Sequence, residues 1–380
     1  MSALTQLYEK HRCSADIPQA QKATVDDLVK FIELKDITPD EVSLKELFDI
    51  TVRPQIAKNG KHFDQMSSLS SIHEELSSSV FPYATRKLIA PYIMEQYEVD
   101  TADVMKLVTE TTSNKPEEDI VGMSDSDGPK YVPEGYPYPS SQMAEKRVKI
   151  VNHKFGNDID LTKEMILYDQ TGQLVQRARD EATFMGEIIE RGICYRLADT
   201  TWTDLEGHDP GAFIYGGTAS TVYSTDHSAI DGQTNSNLGT AGAPSWTTTN
   251  ELGQKLSGMK SIKGKPVRAR MTTIVGHTNM AEEFARFYGH QEYELNSGER
   301  NVNTFKGRFQ IVTSQFMPSS THWFAGDPKR QLIFQWNWKP TVTDEMGDYK
   351  RDIALVFKVS TKFGIGHRDY RFITKNAYAG

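Results

Sequence analysis

The feature that most constrains the fold of this chain is a long extended segment that leads directly into a long helix. Residues 107–165 show no helical period, and their central part, SDSDGPKYVPEGYPYPSS at residues 124–141, contains four prolines and two glycines. Proline and glycine at this density exclude both a helix and a central strand. About sixty residues of such chain would be an anomaly inside a compact domain, so we interpret the segment as a projecting hairpin arm.

The two limbs of the arm have the character of strands. The outgoing limb (104–123) carries β-branched and apolar residues, whereas the returning limb places Val148 and Ile150 on one face and Val151 and Phe155 on the other. This change of phase predicts a bulge or a twist in the returning limb. A two-stranded ribbon is at best marginally stable alone in water, so we expect neighbouring molecules to order it.

Charge is segregated along the arm, with carboxylates on the outgoing limb and cations on the returning limb. Two interpretations stay open. The charges form cross-strand pairs in a solvated ribbon, each contributing roughly a few tenths of a kcal/mol, or they register the arm against an adjacent subunit. The residues that we predict to contact a neighbouring subunit are Glu117, Glu118, Asp119, Lys130, Tyr131, Tyr136, Tyr138, Lys146, Arg147 and Lys149.

A helical period begins immediately after the arm. Apolar residues recur at steps of three and four, and charged residues occupy most of the other positions, which predicts an amphipathic helix from Gln170 to about Asp199. Asp169 or Thr171 is the candidate N-cap of this helix. The residues that we expect to pack it against the core are Leu174, Ala178, Ala182, Met185 and Ile189.

Size and charge exclude several classes of protein. The 380 residues can bury a substantial core, and no apolar run suited to a membrane span or a secretory signal is present in the sequence. The net charge of −8 argues against a protein whose main task is to neutralise phosphates, so any contact with nucleic acid should be weak and unspecific. Cys13 and Cys194 are far apart, and we expect two reduced thiols.

Helical patterns dominate the first hundred residues. Thr38-Pro39-Asp40-Glu41 has the form of a capping box ahead of an apolar stripe at Leu44, Leu47 and Phe48. A further amphipathic helix is predicted after Phe81. We interpret residues 1–80 as an arm or a small helical appendage.

The second half of the chain alternates between helices and strands, which suggests one α/β unit. A helix that opens at Thr248 is predicted to continue to Ile262. Near the C-terminus, residues 353–359 alternate as a strand, and Gly364-Ile365-Gly366 predicts a turn into a returning strand at residues 370–374. We expect this late hairpin to pack beside the long helix.

Signatures of catalysis are weak, because the P-loop and zinc-protease patterns in the chain are incomplete. Ser224, Asp226 and His227 lie close in sequence, as the members of a hydrolytic triad sometimes do. Triads are recognised by geometry, however, and a loop rich in such residues produces these neighbours by chance. We therefore predict no catalytic residue, no cofactor and no metal site.

Taken in order along the chain, these segments resemble the major capsid proteins of tailed bacteriophages, the HK97-like fold family. The pieces that carry the resemblance cover residues 78–380 and are FPYATRKLIAPYIMEQYE, KLVTETT, YVPEGYPYPSSQMAEKRVKIVNHKFGNDIDLTKEMILYDQTGQLVQRARD, the Ser-Thr-Asp-His loop before the Thr248 helix, KGKPVRARMTTIVGHTNMAEEFARF and KVSTKFGIGHRDYRFITKNAYAG. The resemblance implies an α+β fold with a recognisable division of the chain. The implied parts are an N-terminal arm (1–80), a helix and strand leading into the arm (81–106), an E-loop hairpin (107–165), the spine helix of a peripheral (P) domain (166–204), an axial (A) domain (205–339) and the C-terminal strands of the P domain (340–380).

The same resemblance implies partners and a location. The chain would assemble with itself into pentamers and hexamers of an icosahedral shell around double-stranded DNA, with a portal protein and a scaffold or cement protein as further partners. It would be made in the cytoplasm of a host bacterium and end in the head of the virion. Since the chain begins at Met1, we expect residues 1–80 to be retained, and Lys130 and Lys146 alone do not predict a covalent crosslink between subunits.

Two other functions stay open from the sequence. An encapsulin-type compartment of the same fold would enclose a cargo enzyme instead of DNA. A loop-rich hydrolase using the Asp226-His227 region would be a soluble monomer that loses its activity when His227 is replaced.

Overall fold

The computed structural model describes residues 3–12, 17–34, 42–64, 69–123, 131–135, 145–199, 214–215, 218–219, 221–228, 234–261, 264–290, 292–296, 299–348 and 351–377. The helices in these residues are α1 (Ala3–Arg12), α2 (Ile17–Glu33), α3 (Leu44–Thr51), α4 (Arg53–Lys58), α5 (His73–Ser78), α6 (Phe81–Thr101), α7 (Lys163–Leu167), α8 (Thr171–Ala198), α9 (Trp246–Ser257), α10 (Ala281–Gly289) and α11 (Pro328–Gln331). None of them is long and apolar enough to cross a lipid bilayer.

The strands complete an α+β architecture, as predicted. They are β1 (Thr109–Thr112), β2 (Glu117–Met123), β3 (Glu145–Val151), β4 (His153–Thr162), β5 (Ile214–Tyr215), β6 (Thr218–Ala219), β7 (His227–Ser228), β8 (Thr234–Asn235), β9 (Leu238–Gly239), β10 (Thr273–His277), β11 (Glu292–Asn296), β12 (Glu299–Val302), β13 (Gln310–Ser314), β14 (Trp323–Gly326), β15 (Leu332–Met346), β16 (Ile353–His367) and β17 (Ile373–Asn376). One sheet has the order β1-β15-β16-β4 and another the order β13-β10-β14-β17-β9, while β2–β3, β5–β6, β7–β8 and β11–β12 form two-stranded ribbons.

The chain divides into two compact units, each made of three segments. The first unit contains Met1–Asp100, Lys154–Glu187 and Trp338–Lys362, and the second contains Thr101–His153, Ile188–Asn337 and Phe363–Gly380. The long helix α8 and the strands β15 and β16 run through the boundaries between these segments. The predicted division into arm, P domain and A domain therefore stays a proposal.

The predicted long helix is present as α8, and its apolar stripe is buried. In the first unit, Leu174, Ala178, Ala182 and Met185 belong to one hydrophobic core with β4 and β16. Ile189, further along the helix, is fully buried as well. Burial of an entire stripe, rather than intrinsic propensity, is the main source of stability for a helix of this kind.

Helices of the first eighty residues share this core instead of forming a separate one. Leu28 in α2, Phe48 in α3 and Ile56 in α4 are buried in the same cluster as the α8 stripe. The Phe48 ring meets Phe81 edge-on, with centroids 5.6 Å apart. The predicted capping box at residues 38–41 lies outside the described residues, and α3 is capped by Ser43, whose hydroxyl accepts a hydrogen bond from the amide of Glu46.

Asp169 and Thr171, the candidate caps of the long helix, instead hold the start of α3. The Asp169 carboxylate accepts hydrogen bonds from the Ser43 hydroxyl (2.7 Å) and the Lys45 amide (3.2 Å), and the Leu44 amide donates to Thr171 Oγ1 (2.9 Å). Burial raises the pKa of Asp169, but the donors from Ser43, Lys45 and Thr171 outweigh it, so the pKa lies below its ordinary value. Asp169 and Thr171, which the local sequence pattern predicted as caps of α8, therefore bind residues of α3 that are distant in the sequence.

The five-stranded sheet of the second unit has β10 near its centre. Strand β10 pairs in parallel with β13 and antiparallel with β14. Helix α9 begins after the N-cap Ser245 and ends at Ser257 with Gly258 as its C-cap, so the predicted continuation past that glycine is wrong. Ile262, the predicted end, lies outside the described residues.

The predicted C-terminal hairpin is also wrong. Strand β16 continues to His367 without a turn, and β17 pairs with β14 and β9 in the other sheet. The two glycines serve close packing: a Cβ atom on Gly364 would lie 2.6 Å from the Val151 carbonyl oxygen, and one on Gly366 would lie 2.6 Å from Ile150 Cγ1. Real Cβ contacts are never this short, so glycine is required here for the approach of the arm.

Candidate subunit-interaction arm

The predicted hairpin arm is built on the ribbon of β2 and β3. Its antiparallel register pairs Glu117 with Val151 at one end and Met123 with Glu145 at the other. Strand β3 ends at Val151 and β4 begins at His153, so the predicted irregularity of the returning limb occurs at Asn152. We use the name "the arm" for residues 117–151.

Some charges of the arm form pairs within the chain, which agrees with the first of the two interpretations given above. Lys149 lies opposite Asp119 in the register and forms a cross-strand ion pair with Glu117. The hydrogen bond and the charge of Glu117 raise the pKa of Lys149. Both side chains are about half exposed, and pairs of this kind add little to stability. Glu118 accepts a hydrogen bond from the Gln335 side chain, so it serves the base of the arm rather than its free surface.

The end of the arm is partly described. Tyr131 is 91% exposed, and the neighbouring Pro133 and Glu134 are exposed too. Lys130, Tyr136 and Tyr138 lie outside the described residues, as do the side chains of Lys146 and Arg147, whose backbone belongs to β3. The predicted contacts of these residues with a neighbour stay predictions.

Side-chain amides hold the root of the arm, a feature that sequence reasoning missed. Asn152 donates from its backbone to the Pro116 carbonyl (2.9 Å) and from its side chain to the Lys115 carbonyl (2.8 Å). Asn337 donates to the carbonyls of Ser113 (2.7 Å) and Lys115 (3.2 Å). The turn before β2 is therefore held from both sides. The only signal in the sequence was the change of phase around Asn152.

Apolar packing fixes the root as well. Ile150 is buried against the two glycines of β16, while Phe334 stacks on Phe363 with ring centroids 5.0 Å apart. Trp336 is buried beside them and donates its indole N–H to the Glu110 carboxylate (2.9 Å). The arm thus leaves a packed, hydrogen-bonded base, whereas the side chains of its described tip, residues 131–135, are largely exposed.

The candidate triad does not assemble. A ring nitrogen of His227 bonds to the Asn237 side chain (3.2 Å), and its ring stacks on Tyr370 at 3.9 Å. The Ser224 hydroxyl bonds to the backbone of Asp226 instead of to the histidine. Burial lowers the pKa of His227. This histidine packs the fold, and the geometry does not supply a base for a nucleophile.

Cys194 is a free, fully buried thiol in α8. Burial raises its pKa to about 12, which leaves almost no thiolate at neutral pH. Cys13 lies outside the described residues. In the described part of the chain, no group of three or more His, Cys, Asp or Glu side chains is placed to hold a metal ion.

A family profile described as phage capsid protein matches residues 146–376, more than half of the chain. The chain belongs to the phage capsid protein family. This confirms the resemblance drawn from the sequence, and the capsid protein is a structural component of the virion capsid.

Solved structures similar to this chain come from several sources. The capsid of a native GTA particle has a TM-score of 0.46 and 12% identity over 74% of this chain and 91% of that chain. A structure from Mycobacterium phage Bobi has a TM-score of 0.46 and 11% identity over 73% of this chain and 90% of that chain. A virus-like particle from Pyrococcus furiosus has a TM-score of 0.44 and 10% identity over 75% of this chain and 96% of that chain. The comparison with curated proteins gave no match.

Proposed function

We propose that the capsid protein assembles with itself into pentamers and hexamers of an icosahedral shell, and that the arm of each copy lies across the next copy in the ring. The observation that carries this proposal is the contrast between the fixed root of the arm and the exposed side chains of its described tip, residues 131–135. A ribbon of two strands gains little stability alone. When subunits join head to tail in a closed ring, the arm of every subunit can lie on the surface of the next subunit.

The shell encloses the double-stranded DNA of a tailed phage. A chain with a net charge of −8 suits a wall that does not grip the genome tightly, because duplex DNA is itself strongly negative. In this proposal residues 107–165 are the E-loop, α8 is the spine helix, and a portal protein and a scaffold or cement protein complete the head. Assembly takes place in the cytoplasm of the host bacterium.

Electron microscopy of the purified protein tests the proposal directly. We expect closed shells, and shells from infected cells should contain nuclease-protected DNA. Shells filled with a protein cargo would favour an encapsulin-type compartment, and a monomer with hydrolytic activity that is lost in His227→Ala would favour an enzyme. Either result would overturn the proposed function.

Removal of the tip of the arm tests its role. Replacing residues 124–141 with a short glycine linker should leave the thermal unfolding of the subunit unchanged, because the described part of this segment, residues 131–135, is largely exposed. The same variant should fail to close shells in sedimentation and negative-stain images. Normal shells from this variant would show that the tip has no part in assembly.

A further inference from the structure

A cleft of about 760 Å³ opens in the second unit beside α9. Its floor contains Met271, Phe305 and Phe309, and its rim carries Arg270 and Arg308. The rings of Phe305 and Phe309 lie 5.8 Å apart, and Phe305 is almost fully buried. Its volume lies within the range of known binding clefts, and its lining combines apolar and polar side chains.

The rim of the cleft is positive and has no acidic counterpart. Arg270 and Arg308 are exposed, and within the described residues neither forms an ion pair and no carboxylate lines the cleft. The Arg308 guanidinium lies 6.0 Å above the Phe305 ring. Arg268 and Lys306 add exposed positive charge close by in the sequence. A local excess of cations in a chain of net charge −8 indicates an anionic ligand.

A glycine keeps one wall of the cleft open. Gly253 lies in the interior of α9, where glycine costs about 1 kcal/mol relative to alanine. A Cβ atom at this position would meet Met271 Cε at 3.5 Å, an ordinary contact, so packing does not require the glycine. Its effect is to leave space above the apolar floor.

The end of the arm has the complementary chemistry. Beyond β2, residues 124–135 contain three carboxylates, Asp125, Asp127 and Glu134, and one lysine, Lys130. Within the described tip, the Tyr131 ring is 91% exposed and the Glu134 side chain is exposed three residues later. Gly135 follows with φ +83°, a conformation that favours glycine and turns the chain. One short segment thus presents an aromatic ring and a carboxylate together.

We propose that the cleft of each copy receives residues 131–135 of the arm of a neighbouring copy, with the Tyr131 ring on the apolar floor and the Glu134 carboxylate between Arg270 and Arg308. This inference rests on the proposed function, since it requires neighbouring copies. Phosphates of duplex DNA would satisfy the arginines but leave the aromatic floor uncovered, so the cleft favours a peptide segment. An aromatic anchor with a charged partner at its edge is a common form of interface hot spot.

Disulfide trapping tests the contact itself. Pro133→Cys, an exposed position that leaves the Tyr131 ring in place, is combined with Ser257→Cys, an exposed position on the lining of the cleft, in a Cys13→Ser background that retains the buried Cys194. After mild oxidation of assembled particles we expect a ladder of linked subunits on a non-reducing gel, which neither single-cysteine variant gives. Absence of a ladder in assembled particles, or an internally linked monomer, would overturn the inference.

Charge exchange tests the energetics. Glu134→Arg and the pair Arg270→Glu with Arg308→Glu should each raise the protein concentration needed for assembly by about tenfold or more, and their combination should restore most of the loss. Arg12→Glu, an exposed reversal in α1, is the matched control and should have no effect. Circular dichroism checks that each variant is folded.

The outcomes separate this inference from the proposed function. If the unaltered protein forms no shells, the proposed function fails first. If shells form and the charge reversals leave assembly unchanged, only the arm-to-cleft contact fails. If the reversals leave assembly intact but reduce the nucleic acid held in the shell, the cleft binds phosphates and the inference is overturned.

Discussion

The core around α8 and the arm differ in where their stability comes from. In the core, the whole apolar stripe of the helix is buried within a single chain. In the arm, the root is buried and hydrogen-bonded, whereas the ribbon beyond it is joined by backbone pairing and an exposed ion pair. The core completes its contacts within the subunit, whereas the described tip of the arm at residues 131–135 is largely exposed and β3 of the ribbon lies beside β5. Assembly and folding should therefore respond to different substitutions.

The largest expected effect is on the core. Ala182 has no exposed surface, and Ala182→Asp would place an unpaired charge there at a cost of several kcal/mol, about enough to prevent folding. The matched control is Phe184→Asp, two residues along the same helix. The Phe184 side chain is 53% exposed, so this variant should fold normally. Expression and circular dichroism measure both. A folded Ala182→Asp protein would contradict the packing of α8 described above.

The next effect concerns the root of the arm. Asn152→Ala removes the donor to the Lys115 carbonyl and should destabilise the subunit by about 1 to 3 kcal/mol. It should also speed hydrogen exchange of the amides in β2. Asn114→Ala, an exposed neighbour in the same turn, is the control. Equal exchange rates in the two variants would mean that the amide side chains do not hold the arm.

A smaller effect depends on pH. The pKa of Asp169 is lowered in the folded state, so its contribution is present above the unfolded pKa of about 4 and is lost as the pH falls through the folded pKa. Asp169→Asn should cost about 1 kcal/mol at neutral pH, given the exposure of the group. The difference from the unaltered protein should shrink in acid. Thermal unfolding at pH 7 and pH 3 measures it, with exposed Asp158→Asn as the control, and a difference that persists in acid would contradict the assignment.

The smallest effect belongs to the ribbon. Glu117→Gln removes the cross-strand pair with Lys149, and because the pair is exposed we expect no measurable change in the Tm of the subunit. A clear drop in Tm would show that the ribbon is stabilised within the chain. That result would weaken the contrast between arm and core.

Prediction from the sequence succeeded where one local period decides the structure. The three- and four-residue spacing of Leu174 to Ile189 located the long helix and its buried face. The β-branched and apolar residues of the two limbs located the strands of the β2–β3 ribbon. Prediction failed at Gly364 and Gly366. Glycine is found both in turns and where two segments approach closely, and only the position of Ile150 in the structure shows that the second case applies here. Prediction also missed Asn337, since an asparagine between two tryptophans carries no local sign of its partner.

By itself the sequence determined the elements whose cause is local: the amphipathic helix, the strands of the β2–β3 ribbon and the α+β class. Only the tertiary structure decided the contacts that join residues distant in the chain. Asp169 holds α3 rather than α8, β17 enters the five-stranded sheet, and Arg270 and Arg308 meet at one cleft. The physical reason is that periodicity and turn chemistry act over a few residues. Hydrogen bonds, glycine contacts and charge clusters between distant segments exist only after the chain has packed.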